Sequence, residues 1–500
     1  MVGRMASLWQ LTGPEIASDT FSSERCDATV VGAGLTGLVT AVLLARSGAR
    51  VTVLEARSTG ALTTGNTTGK LSLLQGTTFA GIRSHSGDDA VRAYGQANRE
   101  GQAWMLRQLE SWGIDPDRRT AFTYAATAQD TEALEAERDA SAIAGIDLGL
   151  TAEPGLPFET YGALELEQQA QLHPMLVLAR LADELRDRGG RLVEGCRVRG
   201  VEQVDGGVRV VSDAGALESD VCVLATGTPI LDRGMFFARL RPMRSFAAAY
   251  RVDPHAIPQG MYVSVGAPSR SLRVAVGPEG EDALVVGGEG FVPGREDDTE
   301  RRLGELDAWT GRFFPEPERI AAWAAQDYRT HSRLPFAGEM PGGGGRIYTA
   351  TGYGKWGMTN GVAAALTIAA DVLGGHLGWA DELRNHSTRL SAVQDAIGEN
   401  ANVAARLVAG WTTAELRTLD SVDLPAEGDG VVVRDGVAPV GLSRVDGELR
   451  RVPAVCTHLG GVLRWNRAEC SWDCPLHGSR FSASGARLEG PAVEDLGHDG

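Results

Sequence analysis

Lysine is nearly absent from this 500-residue chain. Of its 48 basic side chains, only those at positions 70 and 355 are lysines, and all the others are arginines. A general preference for arginine accounts for most of this bias. Lys70 and Lys355 therefore mark positions where we expect arginine not to serve, because an ammonium is more compact than a guanidinium and loses its proton more readily when it is buried.

Disulfide frameworks, export signals and membrane spans are not expected either. Of the six cysteines, Cys26, Cys196, Cys222 and Cys470 are scattered singly, as in proteins of the reducing cytoplasm. The first residues carry no secretory signal pattern, and no run of about 18 apolar residues could span a bilayer. The net charge of −17 argues against nucleic acid and anionic membrane surfaces as partners. We therefore expect a cytoplasmic protein.

Near the N-terminus, the chain contains a glycine motif between two predicted strands. Gly32, Gly34 and Gly37 follow an apolar strand at 28–31 and open a predicted helix, and Glu55 ends the next strand. This order is the fingerprint of a dinucleotide-binding βαβ unit. The glycines let the backbone approach a pyrophosphate at the helix N-terminus, and the acid binds ribose hydroxyls.

Two later segments fit the same kind of layer. A strand predicted at 221–225 runs into Gly227, where the absence of a side chain lets the backbone pass close to a dinucleotide. Further along, the glycine-rich loop 352–358 precedes an apolar helix predicted at 359–373, whose N-terminal amides can stabilise negative charge. Between these segments, the short β-rich pieces of 240–335 predict an antiparallel sheet.

Four residues near the C-terminus carry the most specific chemistry. Cys456 and His458 lie in C-T-H-L-G-G, Cys474 and His477 lie in C-P-L-H-G-S, and fifteen residues separate the two pairs. One Cys and one His in each loop is typical of a Rieske [2Fe–2S] cluster, where one iron takes both thiolates and the other both imidazoles. Tetrahedral Zn²⁺ accepts the same four ligands and remains an alternative, although zinc motifs usually pair Cys with Cys and His with His.

Together these motifs resemble the FAD-dependent oxidoreductases of the D-amino-acid oxidase superfamily that carry a C-terminal Rieske domain. The resemblance covers nearly the whole chain. It rests on V-V-G-A-G-L-T-G-L (30–38), T-G-N-T-T-G-K-L (64–71), L-V-V-G-G-E-G (284–290), A-Q-D-Y-R-T (325–330), T-G-Y-G-K-W-G-M-T-N-G (351–361) and the cluster loops through E-G-P-A (489–492).

The resemblance implies an α/β fold followed by a small all-β Rieske domain. Residues 1–415 would form the FAD-dependent oxidoreductase domain and residues 420–500 the Rieske domain, with the boundary near 415–421. In the first domain, a Rossmann-like FAD-binding layer would comprise about 25–80, 170–235 and 340–375. An antiparallel substrate-side layer would comprise about 85–165 and 240–335.

The resemblance also implies which residues meet each cofactor. Lys70 and Lys355 would lie at the flavin as catalytic residues that stabilise its reduced anion or hold a water. The cluster ligands would be Cys456, His458, Cys474 and His477. The FAD contacts would be Gly32, Gly34, Gly37, Glu55, Val198, Gly227, Gly352, Gly354, Trp356, Gly357 and Met358.

The cluster loops depart from those of cytochrome bc complexes. There each loop holds an extra Cys and the two form a disulfide, whereas this chain has Gly461 and Leu476. Ser479 is kept, but Phe481 stands in place of a tyrosine whose hydroxyl donates to the cluster. Because fewer donors to sulfur lower the reduction potential, we predict a disulfide-free cluster in the lower part of the Rieske range, below about +150 mV.

These parts predict an enzyme that oxidises an amine or amino-acid-like small molecule by hydride transfer to FAD. Single electrons would pass between FAD and the cluster, and on to an external donor or acceptor protein. The same parts allow the reverse direction, in which the cluster feeds a reducing flavin, and a non-catalytic redox carrier or sensor. A ferredoxin-reductase type is disfavoured because only one G-x-G-x-x-G opens a βαβ unit. A Rieske oxygenase would have no use for the flavin motifs.

Overall fold

The computed structural model describes residues 5–385, 390–415, 422–436 and 438–497. Among these residues, no helix combines the length and the apolar character needed to cross a bilayer. The helices are α1 (Leu8–Thr12), α2 (Leu35–Arg46), α3 (Thr78–Ser86), α4 (Asp88–Ser111), α5 (Thr131–Ile143), α6 (Pro174–Asp187), α7 (Phe236–Arg239), α8 (Thr299–Phe313), α9 (Gly357–Val372), α10 (Gly378–Asn385) and α11 (Leu390–Glu415), with 3₁₀ turns at Thr64–Asn66, Ala128–Asp130, Arg233–Met235 and Pro254–Ala256.

Within the described ranges, the strands fall into four sheets. They are β1 (Cys26–Val31), β2 (Val51–Leu54), β3 (Lys70–Leu71), β4 (Asp117–Tyr124), β5 (Gly149–Thr151), β6 (Ala163–Gln171), β7 (Arg191–Val193), β8 (Val198–Val204), β9 (Gly207–Ser212), β10 (Gly215–Leu224), β11 (Leu240–Arg251), β12 (Met261–Ser264), β13 (Arg270–Val276), β14 (Asp282–Phe291), β15 (Glu318–Thr330), β16 (Phe336–Glu339), β17 (Ile347–Thr351), β18 (Gly430–Asp435), β19 (Ala438–Val445), β20 (Glu448–Pro453), β21 (Arg464–Asn466), β22 (Ser471–Asp473), β23 (Arg480–Ser482) and β24 (Arg487–Glu489).

The first sheet is the layer that the glycine motif predicts. Its strand order is β16-β17-β10-β1-β2-β7, and β9 and β8 continue from β10. The five strands from β17 to β7 run parallel, with β1 between β10 and β2. The largest apolar core packs α2, α6 and α9 against this sheet. The predicted α/β architecture is confirmed.

Close packing at the start of α2 explains two of the motif glycines. Gly32 has a φ of +105°, which side chains rarely adopt, and a Cβ there would lie 2.5 Å from the carbonyl oxygen of Ala225. A Cβ on Gly37 would lie 1.9 Å from the carbonyl oxygen of Gly32. Glycine at both positions therefore lets α2 begin directly at the carboxyl end of β1.

The second sheet is nine-stranded and faces the first. Its order is β15-β11-β14-β13-β12-β4-β6-β3, and β5 also pairs with β6. All of its neighbours run antiparallel except β12 and β4, which are parallel. One strand differs from the expected layers: β3 lies in the segment assigned to the FAD-binding layer, yet it pairs with β6 here. A two-residue strand has no periodicity from which its sheet could be predicted.

The C-terminal part is an all-β unit, as expected. It contains the sheets β18-β19-β20 and β21-β22-β23-β24. Its small core includes the fully buried side chains of Trp472 and Phe481, next to Cys456 and Cys474. The boundary predicted near 415–421 lies outside the described residues except for Glu415.

A cluster of five buried charges joins the two parts. The Arg244 guanidinium of β11 pairs with Glu489 at 2.9 Å and with Glu469. Arg480 of β23 pairs with Glu469, Asp473 and Glu489, at 2.9 to 3.0 Å. None of these side chains is more than 10% exposed. Because a buried charge is costly to leave unpaired, the cluster holds the C-terminal part against the second sheet.

Replacing Arg480 with methionine tests this role. The variant would leave three buried carboxylates to share Arg244, so we expect it to lose about 3–5 kcal/mol of unfolding free energy in urea titrations. Arg451→Met is the control, since it breaks an exposed pair with Asp435 and should cost less than about 1 kcal/mol. Equal losses in the two variants would contradict the assigned role.

Candidate functional site

A cavity of about 610 Å³ lies between the first and second sheets. Its walls come from the carboxyl ends of β1, β2 and β10, the loop before α9, strands of the second sheet and β24. Both Lys70 and Lys355 line it. So do ten of the eleven predicted FAD contacts, namely Gly32, Gly34, Glu55, Val198, Gly227, Gly352, Gly354, Trp356, Gly357 and Met358.

Glu55 and the glycine turn form one end of the cavity. One carboxylate oxygen of Glu55 accepts the amide of Ala33 at 2.8 Å, and the other accepts the amide of Arg57 at 2.9 Å. Burial raises the pKa of Glu55, and the two amides act in the opposite direction. The Glu55 carboxylate is thus held beside the glycine turn, which is where an acid that binds the ribose hydroxyls of a dinucleotide lies.

The N-terminus of α2 opens at the same end. Gly34 is the N-cap residue of α2 and has no side chain that could accept hydrogen bonds from the first amides of the helix. The amide of Leu35 donates to Thr64 Oγ1 at 3.1 Å. Gly34, Leu35 and Thr36 all line the cavity. Free amides and the partial positive charge of a helix N-terminus fit a pyrophosphate. Gly37 does not line the cavity and instead allows the close packing beneath the turn.

A second helix N-terminus faces the cavity at the loop before α9. Trp356 is the N-cap residue of α9 and makes no side-chain cap. The preceding Lys355 has a φ of +77°, in the left-handed region, and its amide donates to the carboxylate of Asp327. A non-glycine residue there is strained by an amount on the order of 1 kcal/mol, and such strain clusters at functional sites.

Both lysines line the cavity, Lys70 with a buried side chain and Lys355 with an exposed one. Lys70 Nζ donates to Ser271 Oγ at 2.5 Å and to Thr68 Oγ1 at 3.5 Å, and among the described residues no carboxylate pairs with it. Burial holds the pKa of Lys70 well below its usual range. Desolvation at the cavity wall lowers the pKa of Lys355 as well, although the nearby Asp327 opposes this shift. A lowered pKa increases the fraction of an amine that is neutral and can accept a proton.

The four predicted cluster ligands meet at the tips of two matching loops. The Cys456 amide donates to the Gly461 carbonyl at 2.9 Å, and the Cys474 amide donates to the Ser479 carbonyl at 2.8 Å. The rings of His458 and His477 lie 5.3 Å apart at 82°. The loops thus present two thiols and two imidazoles together.

The electrostatics of the four side chains fit metal ligation. The thiols of Cys456 and Cys474 contact each other, which lowers the pKa of Cys456 to about 7 and raises that of Cys474. His477 Nδ1 is buried and has no hydrogen-bond partner within the described part of the chain. A buried imidazole nitrogen without a partner, next to two thiols, is a site that a metal would complete.

The arrangement favours a cluster over zinc. Each loop supplies one thiol and one imidazole, whereas zinc motifs usually pair Cys with Cys and His with His. Two such mixed loops suit a Rieske cluster, in which each iron takes only two protein ligands. Gly461 and Leu476 stand where the proteins of cytochrome bc complexes have the two extra loop cysteines. These two positions are in contact here, since a Cβ on Gly461 would lie 2.7 Å from Leu476 Cγ. Leu476 thus occupies the place where a disulfide would lie.

Gln326 and Tyr328 link the cluster loop to the cavity, and sequence reasoning assigned them no role. Gln326 Nε2 donates to the carbonyl of Gly478, which follows His477, at 2.8 Å and to Tyr328 Oη at 2.9 Å. Tyr328 lines the cavity and donates to the carbonyl of Gly490 at 3.2 Å. Both residues lie in the A-Q-D-Y-R-T segment, so the family pattern contained the signal.

Other neighbours of the cluster ligands had no sequence signal. The Phe237 ring lies 5.0 Å from His458 and 5.2 Å from His477, in edge-to-face contact with both. Asp232 lies 3.5 Å from His458 Nε2. Phe237 and Asp232, in the segment before β11, cover the imidazoles of His458 and His477, which are almost fully buried.

Comparisons with known proteins identify both kinds of domain in the chain. The FAD dependent oxidoreductase family model matches residues 27–370, and the Rieske [2Fe-2S] domain model matches residues 415–498. The chain is 30% identical over 488 residues to the Rieske 2Fe-2S iron-sulfur protein YhfW of Bacillus subtilis. That alignment covers 97% of this chain and 94% of the relative.

Solved structures share the fold of the larger part. Glycine oxidase from Geobacillus kaustophilus superposes with a TM-score of 0.60 at 19% identity, over 71% of this chain and 96% of that one. L-amino acid deaminase from Proteus vulgaris gives 0.58 at 16% identity, over 74% of this chain and 99% of that one. At these identities the likeness shows the fold alone. The family models and the full-length relative go further: the chain belongs to the FAD-dependent oxidoreductases and carries a C-terminal Rieske [2Fe–2S] domain.

Proposed function

We propose that this flavin-dependent oxidoreductase oxidises an amine or amino-acid-like small molecule. A bound FAD would supply the hydride acceptor for this reaction, and a [2Fe–2S] cluster would supply a one-electron partner for the flavin. The observation that carries the proposal is the contact of Gln326 with both the cluster loop at Gly478 and the cavity wall at Tyr328. One buried side chain thereby holds the two cofactor sites against each other.

The cavity offers a place for each part of FAD. The amides at the start of α2 would bind its pyrophosphate, and Glu55 its ribose hydroxyls. The N-terminus of α9, with Gly352, Gly354 and the following residues to Met358, would lie at the flavin ring. A helix N-terminus stabilises negative charge on such a ring.

The second sheet would form the substrate side. Lys70 lies on β3 beside Ser271 of β13, and Lys355 lies across from Gly290, where a Cβ would be 3.6 Å from Nζ. A substrate ammonium must lose a proton before a hydride can leave its neighbouring carbon. Either lysine, with its lowered pKa, could accept that proton.

The C-terminal loops would hold the cluster through Cys456, His458, Cys474 and His477. A carrier of single electrons calls for an external one-electron donor or acceptor protein, which we propose as a partner. We also propose a cytoplasmic location, because all six cysteines are free in the structure.

Anaerobic titration with a panel of amines and amino acids tests the reaction. We expect at least one compound to bleach the flavin absorbance, followed by partial loss of the cluster bands as electrons redistribute. Absence of bleaching by every amine, together with rapid reduction by a protein donor, would support a redox carrier. Reduction of the cluster before the flavin by such a donor would support the reverse direction.

Lys70→Met and Lys355→Met test the proton acceptor. We expect at least one variant to slow flavin reduction by about 100-fold or more. In the parent, the rate should rise with pH through a pKa below the usual value of about 10.4, because the acceptor must be neutral; the deficient variant should lose this rise. Lysine-to-arginine changes should not restore the rate, and Arg92→Met, at an exposed side chain, serves as control. Normal rates and flavin spectra in both methionine variants would rule out the assignment.

Cys474→Ser tests the cluster ligands. We expect this variant to lose its iron and the visible cluster absorption while it retains FAD, because a hydroxyl is a poor substitute for a thiolate on iron. Cys470→Ser, at a half-buried cysteine of the same domain, should retain both. A parent protein that contains zinc and lacks iron would contradict the proposal.

A further inference from the structure

The Rieske domain forms part of the cavity that would hold FAD. Arg487, Leu488 and Glu489 of β24 line the cavity, together with Gly490. Neither the glycine motif nor the cluster loops predict this contact, because the segment lies more than 430 residues after Glu55, which ends the glycine-motif fingerprint. The flavin site of the larger domain is thus closed by the smaller one.

Arg487 lies at the Glu55 end of the cavity. Its carbonyl accepts a hydrogen bond from Arg197 Nη2 at 3.0 Å, across the domain interface. Cys196, which immediately precedes Arg197, donates its amide to the Glu55 carbonyl at 2.8 Å. A short path of direct contacts therefore joins β24 to the acid and to the glycine turn.

The guanidinium of Arg487 is buried and only partly satisfied. Arg487 is 7% exposed, and its Nη1 donates to the carbonyl of Ala492 at 2.6 Å. Its Nε is also buried but has no hydrogen-bond partner among the described residues. An unpaired donor on a buried cation is costly unless a ligand completes it.

The charges around Arg487 favour an anionic ligand. Arg57 and Arg197 line the same cavity, and Glu55 is the acid at this end. Burial is the largest cause that lowers the pKa of Arg487 to about 10, and the neighbouring guanidiniums of Arg197 and Arg199 lower it further. The carboxylates of Asp495 and Glu494 oppose this shift only in part. A diphosphate would neutralise this group of cations, and guanidinium groups suit phosphate oxygens.

We propose that Arg487 of the Rieske domain binds the ADP half of FAD, so that the Rieske domain completes the flavin site. The inference rests on the placement of FAD in this cavity under the proposed function. By linkage, FAD binding then strengthens the docking of the Rieske domain, and docking strengthens FAD binding by the same factor.

The test uses the full-length protein, freed of flavin with its cluster intact and titrated with FAD by flavin fluorescence. We expect Arg487→Met to weaken FAD binding about 10- to 100-fold, as for a lost hydrogen bond to a charged group. ADP, used as a competing probe without the flavin, should lose affinity by a similar factor. Arg464→Met is the matched control: it removes an arginine of the same domain that also bridges to the larger domain, at Asp297, and should leave both affinities unchanged.

The outcomes separate the inference from the proposed function. Unchanged FAD and ADP affinities in Arg487→Met, with the cluster content of the parent, would overturn the inference, as would weaker FAD binding with unchanged ADP binding. If Arg487→Met loses its cluster, the FAD and ADP affinities of Arg487→Lys are measured instead. Weaker binding of both by Arg487→Lys at the cluster content of the parent would support the inference, and unchanged binding would overturn it. A parent that binds neither FAD nor ADP would instead overturn the placement of FAD in the cavity.

Discussion

The buried ion cluster around Arg244 and Arg480 is the constraint on which the two sites depend. Arg244 belongs to β11, whose neighbouring residues Ser245 to Ala247 line the cavity, while Arg480 follows the second cluster loop. Glu489 pairs with both arginines and also lines the cavity. In a low-dielectric interior the relative positions of these charged side chains are tightly constrained, because a movement that leaves one of them unpaired costs free energy of folding. The ion pairs thus set the position of the cluster loops relative to the flavin cavity.

This docking changes the expected behaviour of the Rieske domain. In this chain the imidazoles of His458 and His477 are covered by Phe237 and Asp232 of the oxidoreductase domain. Gln326, on the strand paired with β11, then contacts the cluster loop and the cavity wall at once. The two domains form one working unit in which each supplies part of the other's surroundings.

Local patterns predicted much of this structure, and their success has a physical basis. The turn at Gly32 and the loop at Cys474 are set by backbone geometry and ligand chemistry within a few residues, so their sequences carry the information. The pairing of β3 with β6 and the contact of Arg487 with the cavity join distant segments, and no short-range pattern encodes them. Gly37 illustrates the same point: the motif names it with Gly32 and Gly34, and only the fold shows that it packs beneath the turn and does not line the cavity.

The sequence by itself determined the kinds of cofactor and the classes of fold, because a glycine turn that admits a pyrophosphate and paired Cys-x-His and Cys-x-x-His loops are each local arrangements. The scarcity of lysine also singled out Lys70 and Lys355. Only the tertiary structure decided that both lysines line one cavity, that Lys70 is buried there with Ser271 rather than a carboxylate as its partner, and that β24 closes the same cavity. These features arise from burial and from the docking of two domains, which depend on the packing of the whole chain.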